Sequence, residues 1–239
     1  MTANQFRVSK SQNLLSILSD PNLCVSYSQF GEDTLIAEYL IGKNFTKRKK
    51  FYVDLGAYHP SRFSNTKLLN LIGWMGINID PNPDSIELFN HHRPNDINLN
   101  LGISVLPGKM DLYKFSEGAL NTFDKIRAEN LIKNGWQFQG VITVDTANIN
   151  ETLDVYLPEE VKISGIGFLD VDCEGLDFDI INSLDFKKFN PLIIAAEAHD
   201  FDPLHPLENK ICEKICSEGY LLSAYVGRSL LFFKKNPDI

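Results

Sequence analysis

The chain has 239 residues, 44% hydrophobic and 23% charged, enough for one α/β domain with an N-terminal extension and too few for two full domains. A formal net charge of -8 and a pI of about 5.1 leave no electrostatic footprint for nucleic acid, and no apolar run approaches membrane-spanning length. Met-Thr-Ala-Asn-Gln-Phe-Arg at the start lacks the apolar core of a signal peptide, so a cytoplasmic protein is expected, with a homo-oligomer allowed.

Residues 1–45 read as a helical extension and 46–239 as the main domain. Ser11 to Ser19 predicts a short helix ended by Pro21, and the second half of Tyr27 to Leu40 predicts an amphipathic helix with Leu35, Ile36, Tyr39 and Leu40 on one side. Ser28, Gln29, Glu32 and Asp33 before it are read first as caps, with closure over a cofactor as the alternative. The basic run Lys47 to Lys50 reads as a solvated loop.

Phe51 to Leu55 is β-prone and breaks at Gly56, and a helix is expected from a Ser64 cap, with Leu68, Leu69, Leu71 and Ile72 toward a sheet and Gly73 as its stop. A second strand, Trp74 to Ile79, leads to Asp80, after which Asn82 caps a helix with Pro83 in its first position and Ile86, Leu88 and Phe89 as apolar surface. Two such units in succession imply right-handed crossovers and a parallel sheet. Ile97 to Ser104 predicts the third strand, with Gly102 leaving room for an adenine ring. Residues 105–150 then read as a strand-helix-strand insertion: Gly108 to Phe115, a helix from Phe123 to Asn134 capped by Thr122 or Asn121, and Val141 to Val144. Ile166 to Val171 and Leu192 to Ala196 predict the fourth and fifth strands, Leu207 to Ser217 a helix, and Tyr220 onward a hairpin turning at Gly227-Arg228. Cys24, Cys173, Cys212 and Cys216 have no zinc spacing and read as reduced, core-type cysteines, the last two one helical turn apart.

Asp80 follows Asp54 by 26 residues, about the separation at which nucleotide-binding α/β folds place a ribose-binding carboxylate. The turn after the first strand has Gly56 alone, without the G-x-G-x-x-G that seats a pyrophosphate. An adenosine ligand without phosphates, S-adenosylmethionine, fits that turn better than a dinucleotide.

In this order Asp54-x-Gly56, Asp80, Asp172-Cys-Glu174-Gly175 and the terminal hairpin resemble the class I S-adenosylmethionine-dependent methyltransferases. Within them the chain is similar to the FkbM family, through Ser28-Gln-Phe-Gly-Glu-Asp, Val53-Asp-Leu-Gly-Ala-Tyr-His-Pro, Phe63-Ser-Asn-Thr, Gly76-Ile-Asn-Ile-Asp-Pro-Asn-Pro, Asn98-Leu-Asn-Leu-Gly-Ile-Ser, Leu120-Asn-Thr-Phe and Asp170-Val-Asp-Cys-Glu-Gly. The likeness covers about residues 27 to 200. It implies a Rossmann-like, seven-stranded, mostly parallel sheet whose last strand is antiparallel, and O-methyl transfer to a sugar hydroxyl of a nucleotide sugar or polysaccharide precursor. Many class I enzymes carry a second glycine where this chain has Tyr58, His59 and Pro60.

The expected cofactor contacts are Gln29, Asp54, Gly56, Ala57, Tyr58, Asp80, Pro81, Gly102 and Ile103, and the expected substrate contacts are His59, Arg62, Asn121 and Glu174. Because a protonated alcohol is a poor nucleophile, a general base or a metal is expected near the acceptor oxygen. Asp172 and His199 are the catalytic candidates, with His59 as a rival base, and Asp172, Glu197 and His199 form a candidate site for a divalent cation, Mg or Mn. The acids at Glu174 and Asp177 also suit a helix start. Phe168-Leu-Asp-Val-Asp fits two other chemistries. One is a haloacid dehalogenase phosphatase, which its late position opposes. The other is a metal-dependent D-x-D glycosyltransferase. A non-catalytic interaction domain is the third alternative.

Overall fold

Phe51, Val53 and Leu55 alternate with Tyr52 and Asp54 along strand β1 (Phe51–Leu55), and all five are buried, so the strand is covered on both faces. In the computed structural model, which describes residues 24–42 and 48–236, β1 is the middle of a row of parallel strands. On one side lie β2 (Met75–Asp80) and β3 (Ile97–Asn100), on the other β7 (Phe168–Val171) and β8 (Ile193–Glu197). The hairpin of β9 (Tyr220–Val226) and β10 (Ser229–Lys234) completes seven strands in the order 3-2-1-7-8-10-9, with β10 antiparallel to both neighbours. This is the expected mixed α/β sheet.

One core layer joins Phe51, Val53, Leu55, Ile77 and Ile79 to α5 (Ile149–Tyr156), α6 (Glu159–Ser164), α7 (Asp177–Ser183) and α9 (Lys210–Ser217). The opposite layer packs Tyr52, Phe168, Ile193 and Leu231 against Ile36, Ala37 and Leu40 of α1 (Glu32–Gly42) and Leu69 of α2 (Lys67–Leu71). Beyond β2, α3 (Pro83–His92) is capped by Asn82 with Pro83 in its first turn, as expected, while Leu88 is exposed. The short α8 (Phe186–Phe189) is capped by Asp185.

Several local expectations are corrected. The third strand divides at Leu101 into β3 and β4 (Gly102–Ile103). β4 leaves the main sheet to pair with β6 (Phe138–Ala147), which also pairs antiparallel with β5 (Gly108–Phe115) in a three-stranded sheet. The insertion's helix, α4 (Lys125–Lys133), is capped by Asp124, not by Thr122 or Asn121, because Asn121 is occupied with the Phe115 amide. Helix α2 starts at Lys67, not at Ser64, whose hydroxyl instead accepts from Arg93. Leu71 and Ile72 are exposed, since a helix of five residues offers the sheet only one turn, and Leu35 of α1 is exposed as well. The chain before α9 forms a separate 3-10 turn, Pro206–Glu208, and Asn209 caps the helix. Arg48 is not simply solvated: its guanidinium donates to the carbonyls of Ile166 and Asn190. All four cysteines are free, but Cys24 is exposed rather than core. The Ser11 to Ser19 helix and Lys47 lie outside the described residues.

Candidate active site

Parallel strands direct their carboxyl ends to one edge, and there the loops after β1, β2, β4, β7 and β8 enclose a cavity of about 300 Å³. One wall begins at Asp54 and Asp80, both buried. Asp54 Oδ2 accepts from Thr66 Oγ1 at 2.6 Å. Asp80 accepts from the Tyr58 amide at Oδ2 and the Asn82 amide at Oδ1, each at 2.8 Å, and from the Ser85 side chain, and a carboxylate has about four acceptor sites, which leaves room for a ligand. Burial raises the Asp80 carboxyl to about 6 against the pull of those two amides.

The turn after β1 is tight for steric reasons. Gly56 has φ 76, and a Cβ there would lie 1.8 Å from the Asp172 carbonyl, so only glycine lets the β1 and β7 ends meet. Tyr58 (φ 54) and Phe63 (φ 57) adopt left-handed backbone without being glycine, as does Glu174 (φ 50) across the cavity. All three line the cavity, and strained residues of this kind cluster where a site over-determines them. Tyr58 thus takes up the conformation that a glycine would adopt freely, and its amide serves Asp80.

A second wall comes from the β5–α4 connection. Arg62 pairs with both oxygens of Glu117 at 2.9 and 2.8 Å and with the Tyr58 hydroxyl, which itself donates to Glu117. Tyr58 packs beneath Gly118, where a Cβ would sit 3.1 Å from its ring. This clasp ties the β1 turn to residues 117–123, which roof the cavity with Leu120, Asn121 and Phe123.

The far end is acidic. Asp172, Glu174 and Glu197 line it, with Arg127 on Glu174 (2.5 Å) and Arg228 at the hairpin turn. Burial and the charges of Glu197 and Glu174 push the Asp172 carboxyl well above its ordinary range, and its opening onto the cavity lets water moderate that push. Glu174 is raised to about 7 by burial, against the opposing Arg127. Glu197 goes the other way: burial disfavours its charge, but His199, 3.1 Å away, together with Arg127 and Arg228, outweighs it. The same hydrogen bond raises His199.

Of the expected contacts, Gln29, Asp54, Gly56, Ala57, Tyr58, Asp80, Pro81 and Ile103 line the cavity, as do Arg62, Asn121, Glu174 and Asp172. Glu32 lines it too, so the stretch entering α1 does two jobs: Asp33 is consumed by Ser26, Tyr27 and Ser28, while Gln29 and Glu32 line the cavity, with Glu32 also accepting from the Phe30 amide and the Ser229 hydroxyl. Gly102 lies outside the lining, because a Cβ there would meet Phe123 and Thr146 at 2.9 Å, so its glycine admits protein side chains. His59 also lies outside it, its Nδ1 accepting from the amides of Ser61 and Arg62. His199 stands behind Glu197 rather than on the lining. Glu174, Glu197 and His199 bring ligand atoms within 4.8 Å of one another, so the carboxylate beside the expected Glu197-His199 pair is Glu174. Arg127, Arg228 and Glu117 carry no local sequence signal and reach the site only through the insertion and the hairpin.

Residues 54–222 match the model of the methyltransferase FkbM domain, which is more than half of the chain. The chain belongs to this family. No curated protein matches it. As an FkbM methyltransferase it is expected to use S-adenosylmethionine, and its turn residues agree: a single glycine, no phosphate cradle and two carboxylates at adjacent strand ends suit a nucleoside without phosphates. Membership also overturns the phosphatase and D-x-D glycosyltransferase readings. Among the described residues no helix is long and apolar enough to cross a membrane.

Proposed function

We propose that this FkbM methyltransferase transfers a methyl group from S-adenosylmethionine to a sugar hydroxyl, that of a nucleotide sugar or polysaccharide precursor. The observation that carries the reading is one cavity whose lining brings Asp54 and Asp80 together with Asp172, Glu174 and Glu197. S-adenosylmethionine supplies an activated methyl group on a cationic sulfur. Asp80 is suited to a ribose diol and Asp54 to a cationic or hydroxyl group of the donor. Gln29, Ala57, Pro81 and Ile103 complete the wall that Asp54 and Asp80 begin, and Arg62, Asn121 and Glu174 face the acceptor.

The acceptor hydroxyl must lose its proton as it takes the methyl carbon, and Asp172 receives that proton. A carboxylate raised by burial and by neighbouring acids is a stronger base than a solvated one. Glu197 holds His199 by its Nε2 and gives the pair a second proton acceptor, with His199 acting through Glu197. Holding both reactants in one cavity supplies much of the rate.

A second reading, in which a divalent cation polarises the acceptor, is favoured by the convergence of Glu174, Glu197 and His199. Arg127 already neutralises Glu174, which makes proton transfer to a carboxylate the first choice.

The test is calorimetry with S-adenosylmethionine, followed by mass spectrometry for the gain of one methyl group on a panel of nucleotide sugars. Binding and methyl gain are expected. Absence of heat and of any thermal shift at millimolar donor leaves a non-catalytic interaction domain. Methylation of other acceptors alone overturns the sugar assignment. Activity abolished by a strong chelator and restored by Mg or Mn moves the mechanism to the cation.

A further inference from the structure

Arg93 emerges from the end of α3 and is 2% exposed, among the largest fully buried side chains of the protein. A guanidinium cannot shed its charge, so burying it requires compensation. Yet its hydrogen bonds go to neutral oxygens: Nη1 to Tyr52 Oη (3.1 Å), Thr66 Oγ1 (2.9 Å) and Asn78 Oδ1 (3.4 Å), Nη2 to the Pro60 carbonyl (2.6 Å) and Ser64 Oγ (2.9 Å). It reaches carboxylates through single hydroxyls. Thr66 passes its proton-donating bond to Asp54, and Tyr52 passes its own to Asp96.

Burial raises the Asp54 carboxyl, the Thr66 hydrogen bond and the Arg93 charge pull it back, and the sheet register adds to the need for them. Asn98, Asn78, Asp54 and Asp170 lie opposite one another across β3, β2, β1 and β7, so two carboxylates are immediate neighbours on one face. Two like charges at that spacing in a buried row cannot both be cheaply ionised. Arg93 and Thr66 stand on the Asp54 side, and burial with the Asp54 charge drives Asp170 well above its ordinary range. Pro60 and Ser64, gripped by the same guanidinium, belong to the turn that carries Tyr58 and Arg62 into the cavity.

We propose that Arg93 is a positioning residue for the donor pocket, acting from behind its wall through Thr66 to keep the Asp54 carboxylate charged and aimed while pinning the 60–66 turn. The inference rests on the assignment of Asp54 to the donor. The charged groups facing Asp54 are Arg93 from α3, Asp96 from the loop before β3, Asp170 from β7 and Asp80 from β2.

The experiment measures binding of S-adenosylhomocysteine by calorimetry from pH 6 to 9 on wild type, Thr66→Val, Thr66→Ser and Arg93→Met, each checked by thermal melting. Thr66→Val removes only the connecting hydroxyl. It is expected to weaken binding roughly tenfold at pH 7, the size of one hydrogen bond to a charged group. Without that bond Asp54 holds its proton to higher pH, so the loss of affinity on acidification sets in at higher pH than in wild type. Thr66→Ser restores both the affinity and the pH profile. Arg93→Met gives the same shift, and combined with Thr66→Val adds little to it. A folded Thr66→Val with wild-type affinity and pH profile overturns the proposal even if its melting temperature falls, and it decides alone if Arg93→Met does not fold. Wild type that fails to bind S-adenosylhomocysteine overturns the donor assignment and the inference together.

Discussion

At the residue scale the site is an arrangement of acids held at different protonation. Asp80 accepts from two backbone amides and from Ser85, so Asp80→Ala strands those groups and, on the proposed reading, also removes a contact to S-adenosylmethionine. A loss of donor affinity of about 10- to 100-fold is expected, from the ~1.5–3 kcal/mol of a charged hydrogen bond, read by calorimetry; unchanged affinity places the ribose elsewhere. Asp172→Ala is expected to lower turnover by at least about 100-fold with donor binding retained, the usual contribution of one general base. Because Asp172 is raised and Glu174 is raised to about 7, both are protonated on the acid side, so turnover should climb as pH rises from 6 to 8. A flat profile over that range sinks the carboxylate base.

At the element scale, the approach of β1 to the turn after β7 sets the cavity floor, and Gly56 is its tightest point. Gly56→Ala combines φ 76 with a clash against the Asp172 carbonyl and is expected to cost on the order of 3 kcal/mol or more, visible as a large drop in denaturant midpoint. The Arg62–Glu117–Tyr58 clasp behaves differently. Arg62 is substantially exposed, so the pair adds little to stability, about 0–1 kcal/mol. Glu117→Gln should therefore barely move the melting temperature while speeding donor release in stopped-flow measurements, because what it loosens is the roof formed by residues 117–123. A slower release or a collapse of the fold would contradict this role.

At the scale of the whole molecule, the apo-protein carries charge that its fold disfavours. Asp170 is buried and raised well above its ordinary value, so it favours the folded state while protonated and opposes it once ionised. Its contribution is fully present below the unfolded-state value near 4 and is lost as pH rises through the folded value. Asp170→Asn should accordingly raise the apo melting temperature at pH 8 and change it little at pH 4; a lower melting temperature at pH 8 would show that the carboxylate is stabilising.

Alternation and spacing in the amino-acid sequence determined the strand-helix alternation and the turn after β1, because burial on both faces and the glycine break are local properties of Phe51 to Gly56, while the seven-stranded sheet was expected from the family resemblance. They also placed Asp54 and Asp80 on the lining of one cavity, since both sit at strand ends whose position follows from the topology. What tertiary structure decided depends on contacts between distant segments: Glu174 rather than Asp172 beside Glu197 and His199, Arg127 and Arg228 at the acidic end, His59 and Gly102 turned to internal packing. Arg93, which follows His91 and His92 at the end of α3, becomes the buried cation behind Asp54 for the same reason. A side chain's charge is written in the chain, but what neutralises it is set by which loops the fold brings within hydrogen-bonding reach.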